Sequence, residues 1–492
     1  MKFTYSWLKE HLETEHQYNE VVDKLTAIGL EVESVQDTGL AYKDFIVGQV
    51  LEEEKHPNAD KLKLCKVDIG REKVDVVCGA PNVTKGMKVV YAPVGSVIPV
   101  NQMKIKAAKI RGVESYGMMC SEYELGISNE HDGIISLEQD KEVGSSFADS
   151  SGMNDILIEI GITPNRQDCL GVLGVARDLA AAGVGKLKNR EFKTEKGSFE
   201  SPIKIEIQDN DICPAFAGSY IKNVKNVASP DWLQKKLKSI GLRPISALVD
   251  ITNYVMFDQN RPLHVYDADK VKGKIIVRSA QDGESFKALD EKTYDLKKGM
   301  CTISDEEKVL GLGGIMGGES TGCNFDTINV LLESALFDNV NTARTGRDLS
   351  ILSDARYRFE RGIDPRSTLE GIHYATQLIL EICGGECSEI VLAGQISETL
   401  NTIDISGKNI VKRLGLEITD DEIILILNSL GFGAKKSGEN IHCTIPSWRQ
   451  DIHGEADISE EIIRIKGYEN IPTSNICLLY TSPSPRDATL SR

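Results

Sequence analysis

The chain has 492 residues, 41% hydrophobic and 27% charged, an ordinary globular composition with length for three or four separate cores. Its formal charge of −17 excludes a protein that coats nucleic acid by bulk charge. Local basic surfaces are not excluded, because screening confines such binding to charges within about 10 Å.

Residues 1–39 read as two short helices and a strand. Ser6 can cap a helix carrying Trp7, Leu8 and Leu12, while Val21, Val22, Leu25 and Ile28 keep helical spacing until Gly29. Residues 40–148 change texture. Leu62 to Val67, Val89 to Tyr91 and Met103 to Lys106 read as short strands broken by Gly and Pro, which predicts a small closed β-barrel. Lys61, Lys63, Lys66, Lys104, Lys106, Lys109 and Arg111 would track a phosphate backbone if they share a barrel face; solvated strand faces are the other reading. Residues 149–200 return to α/β texture, with a strand at Ile156 to Ile158, a turn at Asn165 to Asp168 and an Ala-rich helix from Gly174 to Gly183. We expect them to pack on residues 1–39, making the barrel an insertion.

Residues 203–392 form the largest unit, with strands at Ile203 to Ile207 and Ile275 to Val277 and helices at Trp232 to Ile240 and Leu369 to Cys383. Two stretches here look like pieces of a pocket. Arg243-Pro244-Ile245-Ser246 runs on to Pro262-Leu263-His264, and the glycine-dense Gly311 to Gly318 is followed by Glu333 after two leucines. Glycines let backbone approach a ligand and leave N–H groups free; a plain tight turn explains them as well. Residues 400–474 carry helices at Lys408 to Leu414 and Thr419 to Leu430, a strand pair near 432–445 and a last helix from Asp457. Asp457, Glu460 and Glu461 share one helix face and, with Asp451, could hold a hard divalent ion such as Mg²⁺; an acidic helix start is the alternative. From 475 to 492 no period or core face remains, and this tail is read as disordered or non-native.

No apolar run approaches the roughly 20 residues of a membrane span, and Met1 to Tyr5 lacks a signal-peptide core. Eleven cysteines, an odd number with Cys383 and Cys387 the only close pair, suit reduced thiols in a cytoplasm. None is read as functional.

With these segments in place, the chain resembles the β subunit of bacterial phenylalanyl-tRNA synthetase, from Met1 to about Ser474. His56-Pro57-Asn58-Ala59-Asp60-Lys61-Leu62 and Met119-Cys120-Ser121-Glu122-Tyr123-Glu124-Leu125-Gly126 resemble its tRNA-binding oligonucleotide-binding fold. Thr163-Pro164-Asn165-Arg166, Asp250-Ile251-Thr252-Asn253-Tyr254, Gly313 to Gly318, Arg358-Phe359-Glu360-Arg361-Gly362 and Pro446-Ser447-Trp448-Arg449-Gln450-Asp451-Ile452 carry the match onward. The resemblance implies an α+β multidomain protein: a barrel (40–148) inserted in an N-terminal α/β domain (1–39 and 149–200), a larger editing domain (203–392) and a small α/β domain (400–474). Family members continue past this point, so truncation is the leading explanation of the tail.

The resemblance also implies roles. The chain would bind tRNA(Phe) and hydrolyse mischarged tyrosyl-tRNA(Phe), with ATP-dependent aminoacylation on a partner α subunit in a complex of two α and two β. DNA and membrane partners are not expected. Glu333 would accept the tyrosine hydroxyl, and Arg243 and His264 would flank the ester, His264 titrating near neutral pH as a proton shuttle. Gly317, Gly318, Pro262, Ser353 and Ala355 would line the amino-acid pocket. Ser353 stands where the family often has Thr, which would loosen the pocket slightly. Water would be the nucleophile, since no Ser-His-Asp or Cys-His set is visible. Asp451, Asp457, Glu460 and Glu461 fall where the family is associated with Mg²⁺. The competing readings are a tRNA-binding module without catalysis and a free-standing hydrolase acting in trans.

Overall fold

A computed structural model describes residues 1–127, 133–189 and 196–473. The expected tail at 475–492 lies outside the described residues. The described chain is a mixed α+β protein.

The N-terminal strand Lys2–Thr4 leads directly into the helix Tyr5–His11. Thr4, not Ser6, caps that helix: its hydroxyl accepts from the Trp7 N–H, while Ser6 bonds the Asp155 carboxylate. Ser6 sits one residue inside the helix, too late to satisfy the first orphan donors. The strands Val32–Asp37 and Ile156–Ile160 pair antiparallel, and Lys2–Thr4 adds to the far side of Ile156–Ile160. The helix Tyr5–His11 packs on this sheet and the helix Val172–Ala181 packs on Tyr5–His11, placing Val175 and Leu179 in one core with Trp7, Leu8 and Leu25. Residues on both sides of the stretch 38–155 therefore share one sheet and one core.

Between those strands a six-stranded sheet runs in the order Met118–Met119, Lys88–Ala92, Ile46–Lys55, Lys63–Asp68, Lys73–Cys78, with Ser136–Leu137 also on Lys88–Ala92. A register shift between Val50 and Glu52 bends the longest strand, as a bulge does, and the sheet carries an apolar cluster on each face, with Val89 and Tyr91 in one and Val90 and Ala92 in the other. Met103 to Lys106, expected as a strand, folds back on Gly95 to Ile98: Lys104 bridges Val97, the Ile105 N–H donates to the Ser96 carbonyl at 2.8 Å and the Ile98 N–H to the Met103 carbonyl at 2.9 Å. The alternation thus marks an extended segment that does find a partner, over too few residues for a regular ladder.

The segment 203–394 is built on two five-stranded sheets. In one, His264–Asp267, Val330–Leu336, Ala215–Lys222 and Glu386–Cys387 lie in that order, with Val391–Gly394 also on Ala215–Lys222. The helices Ala247–Gln259 and Ser367–Cys383 pack on it, contributing Ile251, Val255, Ile372 and Ile379 to the largest core. The other sheet runs Ile205–Ile207, Ile275–Ser279, Cys301–Ser304, Val309–Leu312, Met316–Gly317. Beyond residue 400, Thr402–Ile405, Asn440–Thr444 and Lys435–Ser437 form a small antiparallel sheet under the helices Gly407–Leu414, Asp420–Ser429 and Glu455–Lys466. No helix among the described residues is long and apolar enough to cross a membrane.

Candidate active site

Where the two sheets of the 203–394 segment meet, a cleft opens with about 400 Å³ of empty space continuous with solvent. Its floor comes from an antiparallel pairing. His264 lies opposite Glu333, and Tyr266 opposite Leu331, so the period of two puts His264, Tyr266 and Glu333 on one face. Ile303, Leu312, Ile315, Phe337 and Phe359 supply an apolar wall. Phe337 and Phe359 meet edge to face with centroids 5.1 Å apart.

The glycine loop is what lets the wall come close. A Cβ on Gly317 would lie 2.2 Å from His264 Cε1 and 2.6 Å from its Nε2, so the imidazole is seated where any side chain would stand. Gly314 has φ +69° and rests against both Phe337 and Phe359. Glycine is required at both positions for different reasons, one a close approach and the other a left-handed turn.

Glu333 is buried, with only 6% of its surface exposed. Burial pushes its carboxyl pKa up to about 7, while a hydrogen bond from Tyr266 Oη at 2.5 Å opposes that shift. The phenol that bonds it is in turn held well above its ordinary pKa by burial and by that carboxylate. His264 departs from expectation. Burial lowers its pKa to about 4, so it is a neutral imidazole near pH 7 and does not titrate there. Its Nε2 is buried with no partner among the described residues, and its ring meets Tyr266 at 4.5 Å, edge to face.

Of the residues expected at the pocket, Pro262, His264, Gly317, Glu333 and Ala355 line it. Gly318 stands one step behind, its N–H bonded to the Leu310 carbonyl at 2.7 Å. Ser353 is a clamp and not a wall: its hydroxyl donates to the Ile315 carbonyl at 2.7 Å and accepts from the Arg356 N–H at 3.1 Å, capping the helix Asp354–Phe359. The methyl that a Thr would add is therefore not missing from the lining. Arg243 does not reach the cleft; it is exposed in the loop after the helix Asp231–Ser239. Tyr266, Phe337 and Phe359 are lining residues the sequence reading missed.

Three family models match the chain: a putative tRNA binding domain over residues 45–146, a B3/4 domain over 212–384 and a tRNA synthetase B5 domain over 403–468. The phenylalanine–tRNA ligase beta subunit of Rhodopseudomonas palustris is 50% identical over 474 residues, covering 96% of this chain and 59% of that protein. That of Brucella melitensis biotype 1 is 51% identical over 475 residues, with the same coverage. The chain belongs to the phenylalanine–tRNA ligase beta-subunit family. It spans about three fifths of the length of these relatives. A solved N-terminal fragment of the phenylalanyl-tRNA synthetase beta subunit from Pyrococcus horikoshii aligns over 64% of this chain and 88% of that one, at 18% identity and a TM-score of 0.36, too loose a likeness to bear on the fold.

Within the stretch matched as a tRNA binding domain, Lys61, Lys66, Lys104, Lys106, Lys109 and Arg111 are exposed. Lys63 is spent internally, on Glu53 at 3.2 Å and the Val83 carbonyl at 2.7 Å. His56 ties the loop carrying Lys61 to the hairpin carrying Lys109 and Arg111: its Nδ1 accepts from the Asn58 N–H and its Nε2 lies 3.1 Å from the Ile110 carbonyl. Asn58 adds a bond to the Arg111 carbonyl at 3.0 Å. These three cations are thus held on neighbouring loops.

The four acids expected to hold Mg²⁺ do not converge. Glu461 is buried and paired with Arg449 and with Arg464, and Asp451 takes Arg449 through two bonds at 2.8 and 2.7 Å. Asp457 is a helix-start residue, its Oδ2 accepting the His453 and Gly454 N–H groups at 2.8 and 2.9 Å, and Glu460 is exposed. Arginines already neutralise the carboxylates that a cation would need, so this donor set does not fit the ion. Asp168, Cys169 and Asp178 are close enough to share an ion, but Arg166 and Arg464 occupy those carboxylates.

Proposed function

We propose that this chain binds tRNA(Phe) through the curved sheet of residues 46–137 and hydrolyses tyrosine mischarged on it in the cleft between the two larger sheets. The domain division that goes with this reading is an inserted barrel at 40–148, an editing unit at 203–392 and a small unit at 400–474. ATP-dependent aminoacylation belongs to an α subunit, in a complex of two α and two β, and the setting is cytoplasmic. The names of the relatives support the ligase context. The Mg²⁺ proposed for the holoenzyme is not assigned to Asp451, Asp457, Glu460 and Glu461, whose partners argue against it.

The observation that carries the editing reading is the Tyr266–Glu333 contact on the floor of an apolar cleft. Glu333 already accepts a hydrogen bond from one phenol. A substrate phenol entering along the Phe337 and Phe359 wall would meet the same carboxylate, and phenylalanine would leave it without that second donor. Sites built to hydrogen-bond a hydroxyl discriminate far more strongly than apolar pockets, by about 10⁴-fold against about 100-fold. That asymmetry is what a second sieve needs. His264 contributes as a neutral imidazole beside the ester, orienting the attacking water through Nε2 without exchanging a full charge near pH 7.

Deacylation of tyrosyl-tRNA(Phe) and phenylalanyl-tRNA(Phe) by the full chain tests this. In Glu333→Ala the preference for the tyrosyl ester should fall by roughly 100-fold or more. Unchanged preference removes Glu333 from the reading, and no hydrolysis by the wild-type chain with α subunit added leaves only the tRNA-binding module.

A further inference from the structure

Arg243 instead belongs to a surface assembled from three loops. Asn226 is buried at their junction, its Nδ2 donating to the Asn324 carbonyl at 2.7 Å and to Ser246 Oγ at 3.2 Å. Backbone bonds from Val224 N–H to the Ile328 carbonyl and from Ala247 N–H to the Val227 carbonyl, both 2.8 Å, complete the weld. Asp250 adds a further tie, accepting the Ile245 N–H at 2.9 Å and the Ser229 hydroxyl at 2.5 Å.

What these rigid loops expose is apolar and basic together. Ile245, Phe325 and Ile328 are 62%, 61% and 54% exposed although the loops that carry them are pinned. Lys225 and Arg243 are exposed on the same loops, and the helix Asp231–Ser239 that leaves the first loop shows Lys235 and Lys238. The exposed acids on these segments are Asp231 and Asp326. Four cations against two acids reverse the sign of a chain whose formal charge is −17. Lys222 and Lys236 take no part, being paired with Glu386 and Glu10.

Pinned apolar side chains inside a basic fringe suit a partner that is both anionic and able to stack. We infer that this surface takes the unpaired nucleotides next to the aminoacylated end of a tRNA, with Phe325 under a base and Lys225, Lys238 and Arg243 against phosphates. The distance is right for one continuous strand. Ile328 precedes Glu333 by five residues on the way into the strand Val330–Leu336, which at extended spacing is on the order of 17 Å, a few nucleotides from the ester. The inference rests on the reading of the cleft as the site of the aminoacyl group.

Binding of deacylated tRNA(Phe), intact or trimmed of its unpaired 3′ end, to the full chain tests it. Phe325→Ala should weaken binding of intact tRNA by roughly five-fold or more. Lys225→Glu with Lys238→Glu should weaken it further and flatten its salt dependence. Neither change should matter for trimmed tRNA. All the substituted side chains are exposed, so folding is not at stake. Wild-type affinity in these variants, or an equal loss for both tRNAs, overturns the inference. A parallel Lys104→Glu, Lys106→Glu variant separates the two levels: if it weakens binding while the loop variants do not, the tRNA reading stands and this surface is excluded. If neither set changes binding, the tRNA reading falls as well.

Discussion

Glu333 and Glu461 are both buried glutamates with 6% and 2% of their surface exposed, yet their surroundings drive them in opposite directions. Glu333 has an apolar cleft and one phenol for company, and burial carries its pKa up to about 7. For Glu461 burial pushes the same way, but Arg464 and Arg449 overturn it and bring the pKa down to about 2. The second acid belongs to a closed network. Arg166 joins Asp168 to Asp178, Arg464 joins Asp178 to Glu461, and Arg449 joins Glu461 to Asp451. Such a network ties residues 166–178 to residues 449–464. A carboxylate with all its acceptor sites filled by guanidinium is structural; one left with a single neutral partner at a solvent-connected cleft keeps capacity for a ligand.

The contrast predicts unequal costs. Arg464→Ala would leave buried Asp178 with Arg166 alone and buried Glu461 with Arg449 alone, and should lower unfolding free energy near pH 7 by about 3 kcal/mol in denaturant titrations. A loss under about 1 kcal/mol would mean that the network is not holding these segments together.

The two acids should also give opposite pH slopes. Glu333, with its folded pKa raised above the ordinary 4.5, holds a proton that the unfolded chain releases, so its contribution falls as pH rises from about 4.5 to 7, by about 3 kcal/mol in all. His264, lowered from 6.5 to about 4, acts the other way: the unfolded chain binds the proton first, so stability rises with pH between 4 and 6.5. Across the shared window these slopes nearly cancel. Glu333→Gln should therefore uncover a rise in stability from pH 4.5 to 6.5 that wild type hides, read from urea midpoints. Glu461, lowered from 4.5, contributes stability that is complete above pH 4.5 and is lost as pH falls toward 2. Superimposable wild-type and Glu333→Gln profiles would place Glu333 in an ordinary, ionised state.

Tyr266→Phe sharpens the comparison most gently. It removes the one hydrogen bond that favours the charged form of Glu333, which should cost about 1.5 kcal/mol at pH 8 and less at pH 5. Equal cost at both pH values would show that the phenol does not respond to the carboxylate's charge.

Much of this is readable from residues. Val21, Leu25 and Ile28 before Gly29 place a helix seen at Tyr18–Ala27, and the run Val330 to Leu332 before Glu333 marks a buried strand carrying an acid. Misplacements arise where the outcome depends on distant partners. Arg243 is separated from Pro262 by the long helix Ala247–Gln259, which carries the chain away before it returns to the cleft. His264 looks ready to titrate because nothing local reveals that Gly317 and Tyr266 pack against its ring and that burial lowers its pKa. The acids near 457 look like a metal site because two of their counter-ions are close in sequence but easily overlooked: Arg449 lies two residues before Asp451, and Arg464 three after Glu461. Asp178, the acid that Arg464 also binds, is 286 residues from it, and no local pattern links the two. Tyr266 does leave a signal, two residues from His264 in a strand and hence on the same face.

The pairing of Asp37 with Ile156 has an architectural consequence. Adjacent strands lie about 4.8 Å apart, so the chain departs for the curved sheet and returns from it at nearly a single point. Topologically, residues 38–155 are the tip of a hairpin. Loop closure grows only with the logarithm of length, so a short turn could bridge the same two strands at little cost in entropy. The tRNA-binding stretch is in this sense a detachable attachment, and its removal would leave the sheet, the cleft and the arginine network with their own strands and partners intact.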